Sequence, residues 1–265
     1  MQHPPPFVRE AGSGPGVVCL HANASSSSQW RGLSERLAPH FHVLTPDSYG
    51  SGKSPPWPDQ TLGLEDEAAL LEPVFNAAGE PFVLIGHSYG GAVALVAAAQ
   101  RPGRVRALVL YEPTLFALVD RATPPPNDVE GIRDTVQRAG AELDAGRPAA
   151  AAECFIDFWM GPGSFAKMPE ARRPPILASI VNVRGWGRAL LEEPTPLEVF
   201  AALDTPVLYM TGTRSPAPGL AVARLLTRTF PNVEVVEFEK LGHMGPVTHP
   251  DLVNDAIVRF VSALA

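Results

Sequence analysis

The segment VLIGHSYGGAV, Val83 to Val93, limits what this chain can fold into more than any other stretch. An apolar run leads into it and the small-residue run AVALVAAA leads out of it, so Ser88 falls where a strand would turn into a helix. Gly86-His87-Ser88-Tyr89-Gly90 fits the pattern G-x-S-x-G, and a strand before it with a helix after it is the context that gives the pattern meaning. A turn that sharp holds the serine in a strained conformation, and glycine on each side avoids the collisions a side chain would make. The N-terminus of the following helix favours negative charge developing beside the hydroxyl. An ordinary strand-to-helix turn is the plainer alternative, and the context weighs against it.

Around this motif, short β-rich runs alternate with helical ones. Val17–Leu20, His42–Thr45, Phe82–Ile85 and Val105–Tyr111 are brief and rich in Val, Leu and Ile, as strands covered on both faces should be. Gln29–Leu37, Leu64–Ala78 and Tyr89–Gln100 carry apolar residues at helical spacing. Such alternation predicts an α/β fold, a mostly parallel sheet with helices on both faces. The pattern stops near Thr114 and resumes near Pro206. Between them ATPPPN, GRPA, GPGSF and RRPP separate helical pieces without an obvious strand. Val207–Thr211, a helix over Leu220–Thr229, Val233–Phe238 and a last helix from Pro250 then complete the alternation. The expected organisation is a core of residues 1–114 and 204–265 interrupted by a helical insertion, 115–203.

Composition narrows the classes of partner. A net charge of −7 without any basic run argues against nucleic acid and against an anionic membrane surface. Two cysteines, Cys19 and Cys154, do not make a disulfide framework in 265 residues. No Cys/His cluster or H-E-x-x-H pair has metal-ligand spacing, so no metal is expected. MQHPPPFVRE has no export pattern, and the apolar runs are too interrupted to span a bilayer; the expectation is a cytoplasmic protein acting on a small molecule, with the oligomeric state open.

Four segments, in order, carry a resemblance: CLHANASS after the first parallel strand, TPDSYGSGKS after the second, GHSYGG after the third, and LGHMGP near the end. With them the chain resembles the α/β-hydrolases, from about Phe7 to the C-terminus. The likeness implies an α/β-hydrolase core with a helical cap. It also implies Ser88 as nucleophile, His243 as general base, and the backbone amides of Asn23 and Tyr89 as oxyanion donors. One departure lies at His21-Ala22, where relatives carry His-Gly. The Asn23 side chain either adds a third donor or caps the turn. His21 and His87 border the site, and a structural role is expected for both. YGSGKS ends like a phosphate-binding loop, but that pattern needs glycine at Asp47, so the reading fails. Asp47 and its glycines are expected to shape the turn instead.

The third member of a triad is harder to place. Relatives of this kind carry an aspartate after the penultimate strand, and in MTGTRSPAP that place belongs to Ser215. A serine cannot hold the charge that stabilises an imidazolium. The acid has moved, the site is a Ser–His dyad, or the protein is not an enzyme. Glu112, in VLYEPTLF at the carboxyl end of the next strand, suits the displaced acid, as in the similar haloalkane dehalogenases. The alternative is a glutamate that merely holds the neighbouring loop. If Glu112 is the acid, Ser215→Ala is expected to be nearly silent. Dehalogenation itself is excluded, because that chemistry uses an aspartate nucleophile.

Within the insertion, Phe155, Phe158 and Trp159 recur at i, i+3 and i+4, on one helix face. With Phe116, Met160, Phe165 and Trp186 they either wall an apolar substrate pocket or form the cap's own core. Arg184 is a candidate partner for a substrate carboxylate. The combined expectation is a cofactor-free serine hydrolase of a small ester, thioester or lactone. A C–C bond hydrolase or lyase on the same site, and a non-catalytic ligand-binding protein, are the alternatives.

Overall fold

Runs of Val, Leu and Ile too short to make useful helices become strands buried on both faces, and they stack side by side. The computed structural model describes residues 4–57 and 61–264. Its strands are β1 (Val8–Ala11), β2 (Gly16–Leu20), β3 (His42–Pro46), β4 (Phe82–His87), β5 (Val105–Tyr111), β6 (Val207–Gly212) and β7 (Val233–Phe238). They form one sheet in the order β1-β3-β2-β4-β5-β6-β7, parallel throughout except for β1, which runs antiparallel to β3. The order reverses direction between β2 and β4, which places the carboxyl ends of those strands at the crevice where sites are built.

Helices cover the sheet. They are α1 (Arg31–Leu37), α2 (Leu64–Leu70), α3 (Glu72–Ala78), α4 (Tyr89–Gln100), α5 (Phe116–Ala122), α6 (Glu130–Asp144), α7 (Pro148–Met160), α8 (Ser164–Lys167), α9 (Arg173–Ser179), α10 (Val183–Leu191), α11 (Leu197–Ala201), α12 (Ala217–Thr229), α13 (Gly245–Thr248) and α14 (Pro250–Ser262). Leu33 and Leu37 of α1 with Val253, Ile257 and Val261 of α14 seal one face. The helices α2, α3, α4 and α12 seal the other, in a cluster that continues into the insertion. No helix among the described residues is long and apolar enough to cross a membrane.

Three local differences from the sequence expectation have physical causes. The helix expected over Leu64–Ala78 is two helices that meet at Leu71, because Pro73 has no N–H to donate and its ring opposes the carbonyl of residue 69. A short 3₁₀ turn, Ser27–Trp30, precedes α1. The edge strand β1 has no apolar alternation, VREA, and is a strand only because β3 supplies its hydrogen-bond partners. Between β5 and β6 every described element is helical or 3₁₀, α5 to α11. This insertion is tied to the core by the Asn182 amide, which donates to the Gly50 carbonyl at 3.3 Å.

Candidate active site

At the end of β4 the chain turns into α4 within one residue. Ser88 takes φ 55° and ψ −118°, a conformation that costs a non-glycine residue energy. The turn is over-determined around it: the Ser88 N–H donates to the Tyr111 carbonyl at 3.0 Å, and the Ser88 carbonyl accepts from the amides of Ala92 and Thr114. A Cβ on Gly86 would lie 2.5 Å from the Gly90 carbonyl oxygen, and one on Gly90 would lie 2.5 Å from that of Leu20. Backbone fills both spaces, so both positions require glycine.

His243 comes from the loop between β7 and α13. Its Nε2 lies 2.9 Å from Ser88 Oγ and its Nδ1 lies 2.7 Å from Glu112 Oε2. The loop is held from two sides. The Tyr111 hydroxyl donates to the Gly242 carbonyl at 2.9 Å, and His87 Nε2 donates to the His243 carbonyl at 2.8 Å. That donation leaves His87 Nδ1 to accept from the Gln29 amide at 3.1 Å, while Gln29 Oε1 accepts the Ala22 N–H at 3.2 Å. One glutamine thus links the loop after β2 to the histidine loop. Sequence reasoning gave Gln29 no role, and no local pattern marks it. Burial, reinforced by the neighbouring His243, holds His87 well below the usual histidine range, so it stays a neutral structural group. Burial also lowers His21, whose Nδ1 donates to the Ala22 carbonyl and whose Nε2 accepts the Ser48 amide. The Trp159 indole lies over the His243 ring, with centroids 3.9 Å apart, where its face can stabilise a positive imidazole.

Glu112 follows β5 with φ 43°, a second strained residue beside the first. Its carboxylate is out of contact with solvent. Oε1 accepts from the Thr211 hydroxyl at 2.8 Å, the Gly212 amide at 2.7 Å and the Ser215 hydroxyl at 2.6 Å, which leaves Oε2 to His243. Burial alone would push this carboxyl up. The bond and charge of His243, with the Ser215 hydroxyl and Gly212 amide, hold it below its ordinary value. The first turn of α12 closes over the pair, where a Cβ on Gly219 would lie 3.2 Å from Glu112 Oε2. Ser215 is therefore not an idle residue in a vacant position. It donates to the carboxylate, a contact that the expectation of a nearly silent Ser215→Ala did not take into account.

The loop after β2 brings Asn23 to border two cavities that Ser88 also borders. Ala22 replaces the usual glycine without strain, and the left-handed conformation falls on Ala24, φ 53°. The backbone amides of Asn23 and Tyr89 donate to no acceptor among the described residues, and the Asn23 side chain caps no turn. Asp47 accepts the amides of Ser27 at 2.6 Å and Lys53 at 2.8 Å, and a Cβ on Gly52 would lie 2.1 Å from its carboxylate, so Asp47 shapes the turn after β3.

Residues 15–250 match the alpha/beta hydrolase fold family. The chain belongs to that family. It is similar to a pimeloyl-[acyl-carrier protein] methyl ester esterase of Xanthomonas campestris pv. campestris, 30% identical over 96% of this chain and 97% of that one. It is also similar to the lipase LipV of Mycobacterium tuberculosis, 34% identical over 53% of this chain and 57% of that lipase. Among solved structures, an alpha/beta hydrolase from Sphaerobacter thermophilus superposes with a TM-score of 0.71 at 29% identity, covering 98% of this chain and all of that one.

Residues of the helices between β5 and β6 line the space around Ser88 together with core residues, in two cavities. A wide cleft of about 840 Å³ is lined by Ser88, His243, Met244, Met160, Ile176 and Asn254, among others. A second cavity, of about 20 Å³, is lined by Phe116, Ile132, Val136, Trp186 and Leu190. Asn23, Ser88, Phe155 and Trp159 border both. The four aromatics expected at a pocket, Phe116, Phe155, Trp159 and Trp186, thus all face the small cavity. Phe165 lines neither; it is buried in the cap beneath the Arg173 guanidinium. Phe158 packs edge-on against Trp159 and reaches Gly131 of α6. Arg184 is taken by Asp144, which it grips with two guanidinium nitrogens at an exposed site, and it borders neither of these two cavities. Among the described residues, no group of three His, Cys, Asp or Glu could hold a metal ion.

Proposed function

We propose that this protein is a serine hydrolase of small carboxylic esters, thioesters or lactones, working through an acyl-enzyme. The observation that carries the reading is one unbroken chain of contacts: Ser88 Oγ to His243 Nε2 at 2.9 Å, and His243 Nδ1 to Glu112 Oε2 at 2.7 Å. Ser88 attacks the carbonyl carbon while its proton passes to His243. Glu112 keeps Nδ1 protonated, so that Nε2 is the nitrogen free to act, and stabilises the imidazolium that results. The amides of Asn23 and Tyr89 receive the oxyanion, favoured by the start of α4. The relatives named as a methyl ester esterase and a lipase support ester hydrolysis as the class of reaction.

A fluorophosphonate probe tests the reading. Ser88 should label rapidly, and Ser88→Ala should abolish labelling and lower turnover of 4-nitrophenyl acetate by about 10⁴-fold or more. A purified Ser88→Ala protein that keeps several per cent of the activity would remove the nucleophile assignment. A wild-type protein that neither labels nor turns over any ester would favour a ligand-binding member of the fold.

A further inference from the structure

Both cavities reach Ser88, and only one of them is bordered by the base. His243 lines the wide cleft and does not line the small apolar cavity. That asymmetry has a chemical consequence. When the tetrahedral intermediate collapses, the bond from carbon to the leaving oxygen breaks, and that oxygen takes the proton His243 received from Ser88. The leaving oxygen must therefore lie on the His243 side, with the group it carries in the wide cleft. The oxyanion is directed at the Asn23 and Tyr89 amides, so the acyl chain is left with the remaining direction, into the small cavity. A water that replaces the leaving group then gives a proton to His243 as its oxygen bonds to the acyl carbon; the bond from that carbon to Ser88 Oγ breaks, and Oγ takes the proton back from His243.

We propose, resting on the serine-hydrolase reading, that the substrate is an ester of a short apolar acid with a large, hydrogen-bonding alcohol or thiol. The acyl side has a volume of about 20 Å³, and a site that size holds little more than one water-sized group. Buried Phe116, Ile132, Trp186 and Leu190 line it. An acetyl methyl fits; a long chain does not. The leaving-group side holds about 840 Å³. It also contains Asn254, which is 5% exposed and whose side chain has no hydrogen-bond partner among the described residues. Beside it is Gly32, where a Cβ would lie 3.6 Å from the Asn254 amide nitrogen, so a larger residue would narrow the cleft. An amide that borders the cleft without a protein partner is free to hydrogen-bond a polar leaving group.

An isomeric pair of esters reads the orientation directly. In 2-phenylethyl acetate the small group is acyl; in methyl 3-phenylpropanoate, of the same formula, it is the leaving alcohol. The acetate should be preferred in kcat/KM by about tenfold or more, the scale on which a filled or blocked apolar pocket discriminates. Lengthening the acyl group from acetate to hexanoate should lower the rate further, and Leu190→Ala should shift the optimum toward the longer acids. Asn254→Ala should lower the ratio of kcat/KM for 2,3-dihydroxypropyl acetate over 2-phenylethyl acetate; an unchanged ratio removes the polar contact. If Leu190→Ala fails to fold, the wild-type isomer pair still decides. Equal rates or a preference for the methyl ester overturn the orientation while leaving the hydrolase reading intact, provided Ser88 labels and 4-nitrophenyl acetate is cleaved. Labelling with neither isomer cleaved also overturns it. Absence of labelling and of all turnover overturns both readings.

Discussion

Glu67 and Glu112 are both wholly removed from solvent, yet the protein treats them in opposite ways. Glu112 has three donors on one oxygen and a histidine on the other, and its carboxyl is held below the ordinary value. Glu67, on α2, has the Tyr49 amide at 3.4 Å on one oxygen and, among the described residues, no hydrogen-bond partner on the other. Burial pushes its carboxyl up to about 8, so it is neutral where Glu112 is charged. Burial does not set the charge of a carboxyl by itself; the donors built around it do. A charged Glu112 can orient and stabilise an imidazolium, and a neutral Glu67 packs as a core residue of α2 against α4.

The largest effect that would sharpen this contrast is on turnover. Glu112→Gln should cut kcat by roughly 10²–10⁴-fold with KM near wild type, by analogy with removal of a triad acid. Glu67→Gln should leave kcat near wild type. Steady-state kinetics on one ester check both, and a mild Glu112→Gln would break the comparison at its functional end.

A second test reads stability against pH. The Glu67 carboxyl is raised in the folded protein from 4.5 to about 8, so the folded state binds the extra proton between those values. Its contribution is fully present below about pH 4.5, declines as pH rises through that window, and is lost above about 8. Glu67→Gln removes the titration. It should therefore raise the thermal midpoint relative to wild type progressively from pH 5 to pH 9, by several degrees at the alkaline end. A constant difference across that range would show that Glu67 is ionised throughout.

The smallest expected effect concerns the donors. Ser215→Ala removes one hydrogen bond to a buried charge, worth about 1.5–3 kcal/mol of folding stability. It should also lower kcat moderately, far less than Glu112→Gln, because two other donors remain on Oε1. A chemical denaturation curve and one kinetic measurement suffice, and a Ser215→Ala protein as stable as wild type would show that Thr211 and Gly212 satisfy the carboxylate alone.

Much of the site was legible because it is local. The nucleophile turn needs only a strand, a serine between glycines and a helix, all within Val83–Val93, and His243 sits in a short loop after the last strand. Glu112 could be read as a carboxylate at the carboxyl end of β5, and its contact with His243 came from the structure. Other features were not local. The Ser215 hydroxyl meets Glu112 from 103 residues away, and Gln29 meets His87 across 58. The strand β1 lacks a periodic pattern because half of it faces solvent, and its partner alone makes it a strand.

From the sequence by itself came the parallel α/β architecture, the strained serine turn and the helical nature of the insertion, since each depends on periodicity and turn chemistry within about a dozen residues. Only the tertiary structure decided which donors hold Glu112, and that Trp159 lies on His243 and borders both a wide cleft and a tight apolar cavity at Ser88. The aromatic stripe on α7 could be read as a stripe but not as a wall. Which of its side chains face a cavity and which face α6 depends on how the insertion packs on the core, and helical spacing carries no record of that packing.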